Sequence, residues 1–320
     1  MNPERNNGLA AILTANVFFG VNIPVTRSLI TTWMTPMGYT VTRMLFGALV
    51  FWVIGLFQKD ERVSPKDMGI LAIGGLLGYL GTQFLFSLSL QHTTPMNFSM
   101  LMALTPVVVL LLSAILLKER VPIRKAFGVF VSVVGACAMI YWSGTASGTG
   151  PHDGRGILYA LGCVLCYGSY LLLTRQVSQR YKPVTVAKWM FLFSALVLLP
   201  FIGSGLRGQA IYSNAADAIG IAQLAFALLF STTLAFFLMP LALKKLEAST
   251  VSIFMNLQPI VASVVAIAVG QDEMSWDKVL AAVFVLVGVY LVTRPTTELI
   301  TSKASSETEA PPPEAFSTSR

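Results

Sequence analysis

Apolar residues run through this chain in blocks rather than stripes. A helix needs about 20 mainly apolar residues to cross the hydrocarbon core of a bilayer. Ten blocks meet that length, roughly Gly8–Thr26, Met37–Phe57, Met68–Leu88, Pro95–Leu117, Arg124–Trp142, Gly156–Thr174, Val184–Ile202, Ala218–Leu241, Ala248–Gly270 and Lys278–Thr293. The polar connections are short, as helical bundles expect. The longest, SGTASGTGPHDGR over 143–155, is rich in Gly and Ser and falls at mid-chain. It reads as a linker between two five-helix halves, 8–142 and 156–293. The segment 294–320 turns polar and rich in Pro, Ser and Thr, the composition of a disordered tail.

The two halves echo each other. Pro95 to Tyr141 carries an apolar helix centred on Pro106, a polar elbow Lys118-Glu119-Arg120, and a second apolar helix with Gly128 and Gly135. The same order returns 153 positions later, with Pro259 central, Asp272-Glu273 as elbow and Gly288 in the closing helix. Ser99/Ser252, Met102/Met255, Leu104/Leu257, Val108/Val261 and Lys125/Lys278 also coincide. The opening helices repeat at a shift of 148, pairing Gly8 with Gly156, Gly20 with Gly168, Thr26 with Thr174 and Arg27 with Arg175. Apolar segments resemble each other cheaply, but a central proline, an acidic elbow and a glycine in register mark a true repeat.

Composition sharpens this. The chain is 55% hydrophobic and 12% charged, against about 25% charged in soluble domains, so a multi-pass membrane protein is expected. Its net charge of +7 is spread over loops and is no nucleic-acid footprint. Of its 22 Lys and Arg, all but Arg27, Arg43, Arg155, Arg207 and Lys278 fall on one side when the N-terminus is placed inside. Both termini are then cytoplasmic. Five is odd, so the halves enter the membrane from opposite sides. The expected fold is therefore an all-α membrane protein of ten transmembrane helices arranged as two inverted five-helix repeats, a recurring plan of secondary transporters. Cys137, Cys163 and Cys166 lie in apolar segments; Cys163-x-x-Cys166 has no further ligand nearby and reads as packing. The first block runs straight into the multi-span pattern and reads as a retained helix rather than a cleaved signal.

Several residues resemble one family. Phe19-Gly20-x-Asn22 in the first helix, Arg43 near the start of the second, and the Pro106–Lys118-Glu119-Arg120–Gly128–Gly135 module with its echo at Pro259, Asp272/Glu273 and Gly288 are similar to the EamA-type ten-helix transporters of the drug/metabolite transporter superfamily. The resemblance covers about Gly8 to Thr293. It departs at the second elbow, which offers Gln-Asp-Glu, and at Ala281, where a glycine would face Gly128. It implies small-molecule transport, most often export of amino acids or other metabolites across a bacterial inner membrane.

Charge inside a bilayer is costly and usually functional. Every Asp and Glu falls in a loop, helix end or tail, as do His92 and His152, which leaves no buried carboxylate to carry protons or sodium. Arg43 alone sits within a span. It either orients a substrate carboxylate, or snorkels outward or caps backbone carbonyls of a neighbouring helix. Pro106 and Pro259 leave the carbonyls of Met102 and Met255 without helical partners, a break that a cavity or a neighbour must satisfy. Tyr79, Gln83 and Phe86 share one helix face. With Asn16, Phe19, Asn22, Asn97 and Leu101 of the first half, and Tyr167, Tyr170, Trp189, Phe193, Phe236 and Asn256 of the second, they form the candidate substrate-binding set. Each taken singly also reads as interhelical packing. Together they describe an apolar-walled midplane cavity for a moderately polar, zwitterionic or aromatic molecule, served by alternating access. Gly74, Gly78 and Gly128-x-x-x-Ser132 are read as close helix contacts.

An enzyme would need a nucleophile with a base, paired carboxylates or a metal cluster in the spans, and no Walker A motif supports ATP hydrolysis. No cofactor, metal or nucleic-acid partner is expected. The partners implied are a small-molecule substrate and the bilayer; monomer and oligomer are both compatible with the sequence. Multidrug efflux and, further off, a channel are the competing readings.

Overall fold

The computed structural model describes residues 3–59, 61–116, 118, 121–145, 153–213, 216–245, 254, 257–273 and 276–293. Helices make up its regular structure: α1 Pro3–Thr32, α2 Pro36–Leu56, α3 Pro65–His92, α4 Pro95–Leu116, α5 Ile123–Thr145, α6 Asp153–Arg180 and α7 Pro183–Leu206. α8 joins Ala218–Phe226, Ala227–Leu234 and Ala235–Lys245; α9 covers Leu257–Ala268 and α10 Trp276–Thr293. Seven helices are long and apolar enough to cross a membrane, and Leu257–Ala268 and Ala282–Leu291 are shorter apolar ones. Large apolar side chains such as Leu49, Ile115, Phe130 and Leu158 stand on outward faces, more than half exposed. Such surfaces suit lipid rather than water. This is a multi-pass membrane protein.

Helix starts are written in proline. Thr35-Pro36, Ser64-Pro65 and Thr94-Pro95 open α2, α3 and α4, each hydroxyl accepting the N–H three residues on (Gly38, Asp67 and Asn97). Proline at the first helical position gives up only an N–H that had no partner there. α2, α3 and α7 therefore begin one to three residues earlier than hydropathy suggests. α1 and α6 run on past Thr26 and Thr174 to Thr32 and Arg180, since polar residues can continue a helix beyond an apolar block. The expected linker shortens likewise: α5 reaches Thr145 and α6 begins at Asp153, with 146–152 outside the described residues. The tail from 294, Glu119 and most of 246–256 also lie outside them.

Two large buried clusters, with a small third at Ala11, Ile12 and Ala242, hold the bundle. One gathers Leu29, Leu90, Leu101 and Ala160 from α1, α3, α4 and α6. The other stacks Phe51 of α2 on Phe191 of α7, ring centroids 5.4 Å apart, beside Met190 and Tyr79. Ala282, Val285 and Val289 of α10 join the first cluster, and α5 and α10 pack along each other. Their seam is set by the two repeat glycines: a Cβ on Gly135 would stand 2.7 Å from Val285 N, and one on Gly288 would stand 2.5 Å from Ser132 N and 2.6 Å from Gly128 O. The Gly128–Ser132 close contact expected from spacing is thus this one. The opening-helix glycines behave alike. Gly20 of α1 meets Val261 of α9, and Gly168 of α6 meets Val108 of α4.

Replacing Gly288 by Val forces backbone apart, because behind the Ser132 hydroxyl the next nearest atoms, Ser132 N and Gly128 O, are main-chain. We expect a loss of about 1–3 kcal/mol, read as a lowered melting temperature in detergent. Gly69→Ala, with nothing within 4 Å of its added carbon, should leave it unchanged.

Candidate functional site

The helices around the middle of the bundle are irregular. α4 stops at Met102 and resumes at Thr105. Pro106 has no N–H to give the Met102 carbonyl, and the Thr105 hydroxyl donates to it instead at 2.6 Å. The freed carbonyl foreseen from the sequence is thereby satisfied locally. At the matching break, Met255 lies outside the described residues, while Pro259 lies near the start of α9.

α3 and α8 each widen into a π-helical stretch, Gly75–Gly81 and Ala227–Leu234. Threonine hydroxyls accompany the wider turn, Thr82 donating to Leu77 O at 2.9 Å and Thr232 to Ala227 O at 2.8 Å, five residues back. Such stretches often mark functional sites. Here they border a cavity of about 620 Å³ bounded by α1, α2, α3, α4, α6, α8 and α9, reaching the start of α7 at Pro183.

Arg43 lies in its wall, 1% exposed. It neither snorkels nor caps a backbone carbonyl. Nε donates to Thr232 Oγ1 at 2.8 Å, Nη1 to Gln83 Oε1 at 2.5 Å and Nη2 to Ser231 Oγ at 3.3 Å. The Tyr39 ring lies 5.4 Å from the guanidinium carbon, a cation–π distance. Tyr39 is held in turn by a 2.8 Å hydrogen bond with Thr26 of α1. Every partner is neutral, and the ion pair found among the described residues, Arg180–Asp67, is elsewhere. Of the five guanidinium N–H groups, three are occupied, which leaves one on each terminal nitrogen. That pair can meet a carboxylate in fork geometry.

The cavity brings together Phe19, Asn22, Arg43, Tyr79, Gln83, Phe86, Tyr167, Tyr170 and Phe236, with Pro106 and Pro259. Phe236 sits 5.7 Å from Phe19 and 5.0 Å from Tyr79, and Tyr79 sits 6.0 Å from Tyr170, an aromatic wall contributed by four helices. Asn22 is 3% exposed and its Oδ1 has no hydrogen-bond partner among the described residues. Asn16, Asn97, Leu101, Trp189 and Phe193 are not in the lining. Asn16 bridges helices, donating to Ile12 O and accepting from Gln258 Nε2 at 2.6 Å. Asn97 and Leu101 are fully buried in α4. Trp189 packs between Trp52 and Phe193 on the far side of α7. Asn256 lies outside the described residues.

The wall also holds residues that apolar-block reading passed over: Thr82, Ser99, Thr174, Ser231 and Gln258. The hydroxyl run Ser231-Thr232-Thr233 inside an apolar block was the available signal. Asp272 is structural, accepting the Met96 N–H at 3.2 Å at the start of α4. Among the described residues no three His, Cys, Asp or Glu could hold a metal ion.

A polytopic bundle with broken helices around an aromatic, cation-bearing cavity is the build of a small-molecule carrier. The chain matches the EamA-like transporter family over residues 6–141 and 154–294, and it belongs to that family. It is 24% identical to the uncharacterized transporter YyaM of Bacillus subtilis (strain 168) over 80% of this chain and 84% of that one. It is 28% identical to the threonine/homoserine exporter RhtA of Escherichia coli (strain K12) over 71% of each. A solved crystal structure shares the fold with a TM-score of 0.58 at 21% identity, covering 88% of this chain and 98% of its own.

Thr232 is the partner whose loss is most informative. Thr232→Val leaves the Nε–H of a buried cation unpaired and should cost about 1–3 kcal/mol, read as thermal stability in detergent. Thr233→Val, which removes only a bond to its own Leu228 carbonyl, should cost less.

Proposed function

We propose that the protein is a secondary transporter of a bacterial inner membrane that exports amino acids by alternating access. The observation that carries this is Arg43, a buried guanidinium with neutral partners and two uncommitted N–H groups in a cavity sized for a small solute. A carboxylate is the charge such a site lacks. The aromatic wall around it suits an aliphatic or aromatic side chain, and the exporter RhtA is a relative named for small amino acids. The aromatic wall also keeps a second reading in play, efflux of lipophilic compounds, in which Arg43 has no carboxylate to bind.

The membrane arrangement proposed is ten crossings with both termini inside and the halves inverted. Element lengths support the repeat. α3 and α8 begin at Pro65 and Ala218, and their last segments are Thr82–His92 and Ala235–Lys245, each 11 residues. Packing partners correspond as well: α1 lies against α8 and α9 as α6 lies against α3 and α4. The acidic side chains described within the cavity's helices stand at helix ends, as Asp67 does in the first turn of α3, so transport is proposed to be facilitated or exchange-driven rather than proton-coupled.

Purified protein in liposomes should catalyse saturable counterflow of labelled threonine and of an aromatic amino acid without an ion gradient. Free amino acids should compete, whereas their methyl esters, lacking the carboxylate, should compete at least tenfold less well. Arg43→Gln should abolish that distinction and raise the half-saturation concentration by about tenfold or more, the scale of a lost charge-assisted pair. Flux of a cationic dye with no amino-acid flux would replace this reading with lipophilic efflux.

A further inference from the structure

The cavity is closed at one end and open at the other. At the closed end, where α1 and α3 finish, Arg27 Nη1 donates to the carbonyl of Leu90 in the last turn of α3. Gln271 Nε2 donates to Pro24 O at 3.1 Å, and Met96 N donates to Asp272 at 3.2 Å. These bonds join the C-terminal part of α1 and the last turn of α3 to each other, and tie α1 and the start of α4 to the elbow before α10. The open end is lined by Arg175, Ser178, Gln179 and Pro183, where α6 finishes and α7 begins. Arg175 is exposed there and makes no hydrogen bond or ion pair among the described residues.

Arg27 and Arg175 are equivalent residues of the two halves, at the shift of 148 that also carries the end of α1, Thr32, onto the end of α6, Arg180. Leu90 is equivalent to Leu243 at the shift of 153 that carries Thr82–His92 onto Ala235–Lys245. Leu243 therefore stands two residues before the last described residue of α8, as Leu90 stands two residues before the end of α3. Carbonyls in a last helical turn have no partner within the helix, and a guanidinium is a favourable donor to them. The packing is asymmetric in the matching way. α1 lies against the last segment of α3, while α6 and the last segment of α8 share no comparable contact.

We propose that Arg27 and Arg175 are reciprocal gate latches. In the conformation seen here Arg27 caps α3 through Leu90 and seals one end. In the alternate conformation Arg27 lets go and Arg175 caps α8 through the Leu243 carbonyl, sealing the other. Each latch exists in one state only, so each biases the equilibrium toward its own state. A carrier built this way carries its own counterweight: weakening one latch populates the other state. The inference rests on the alternating-access reading above but concerns residues outside the Arg43 site.

The test is two-sided labelling of one cavity cysteine. Cys137, Cys163 and Cys166 are replaced by Ala, and Met102→Cys, in the cavity wall, is modified by a membrane-impermeant thiol reagent from outside in cells and from inside in inverted vesicles. Arg27→Ala should raise the outside-to-inside rate ratio about tenfold, the effect of one charge-assisted bond held in a single state. Arg175→Ala should lower it by a similar factor, and Lys at either position should move it back toward the parent value. An unchanged ratio in Arg175→Ala, or a shift in the same direction as Arg27→Ala, overturns the latch. Since Arg175 is exposed, its variant keeps the fold and decides the matter without Arg27→Ala. Alternating access itself fails under a different result, a parent cysteine that both reagents reach at once and that substrate does not shift between faces.

Discussion

A buried cation with no carboxylate beside it governs this structure. Moving a guanidinium out of water costs several kcal/mol even after relaxation, and Arg43 recovers that cost from three neutral oxygens and one aromatic face. Those partners come from both halves of the chain. Gln83 follows the π-helical turn of α3, and Ser231 and Thr232 lie within that of α8. The wider turn lets Thr232 donate to its own helix while accepting from Arg43. Position, backbone irregularity and hydrogen bonding are thus a single arrangement, and the cavity is the space it leaves.

Irregular backbone at membrane depth is tolerated where it is satisfied locally or lines a cavity. Both conditions hold here. Thr105 serves the carbonyl that Pro106 strands, Thr82 and Thr232 serve the π turns, and all of these stretches contribute to the cavity wall. The small hydroxyl residues of the spans are therefore parts of the backbone's accounting as much as ligands in waiting.

The repeat is visible at the level of atoms as well as letters. Gly20 against Val261 and Gly168 against Val108 are one contact made twice, and Gly135 and Gly288 set the two sides of the α5–α10 seam. Under the alternating access proposed above, contacts that recur are those both conformations would keep, and a contact without a counterpart, such as Arg27 with Leu90, is the kind that would separate one state from the other.

The sequence by itself determined a great deal: the apolar blocks, the two matching halves, the central prolines, the family and the candidacy of Arg43. Hydropathy and repeats are properties of chain order, so they survive without coordinates. It also placed Phe19, Asn22, Tyr79, Gln83, Phe86, Tyr167, Tyr170 and Phe236 among its candidates, because polar and aromatic residues in apolar blocks are few. Tertiary structure alone decided which of these share a wall. Asn16 turned to Gln258, and Trp189 turned to Trp52 and Phe193, since helix rotation is set by packing that hydropathy does not encode. It alone revealed the π turns, whose extra residue per turn follows from neighbouring contacts rather than from local propensity. Finally, it decided the partners of Arg43 and the closed end of the cavity. Both depend on residues as much as 247 positions apart in the chain meeting in space, a matter for the fold and not for sequence order.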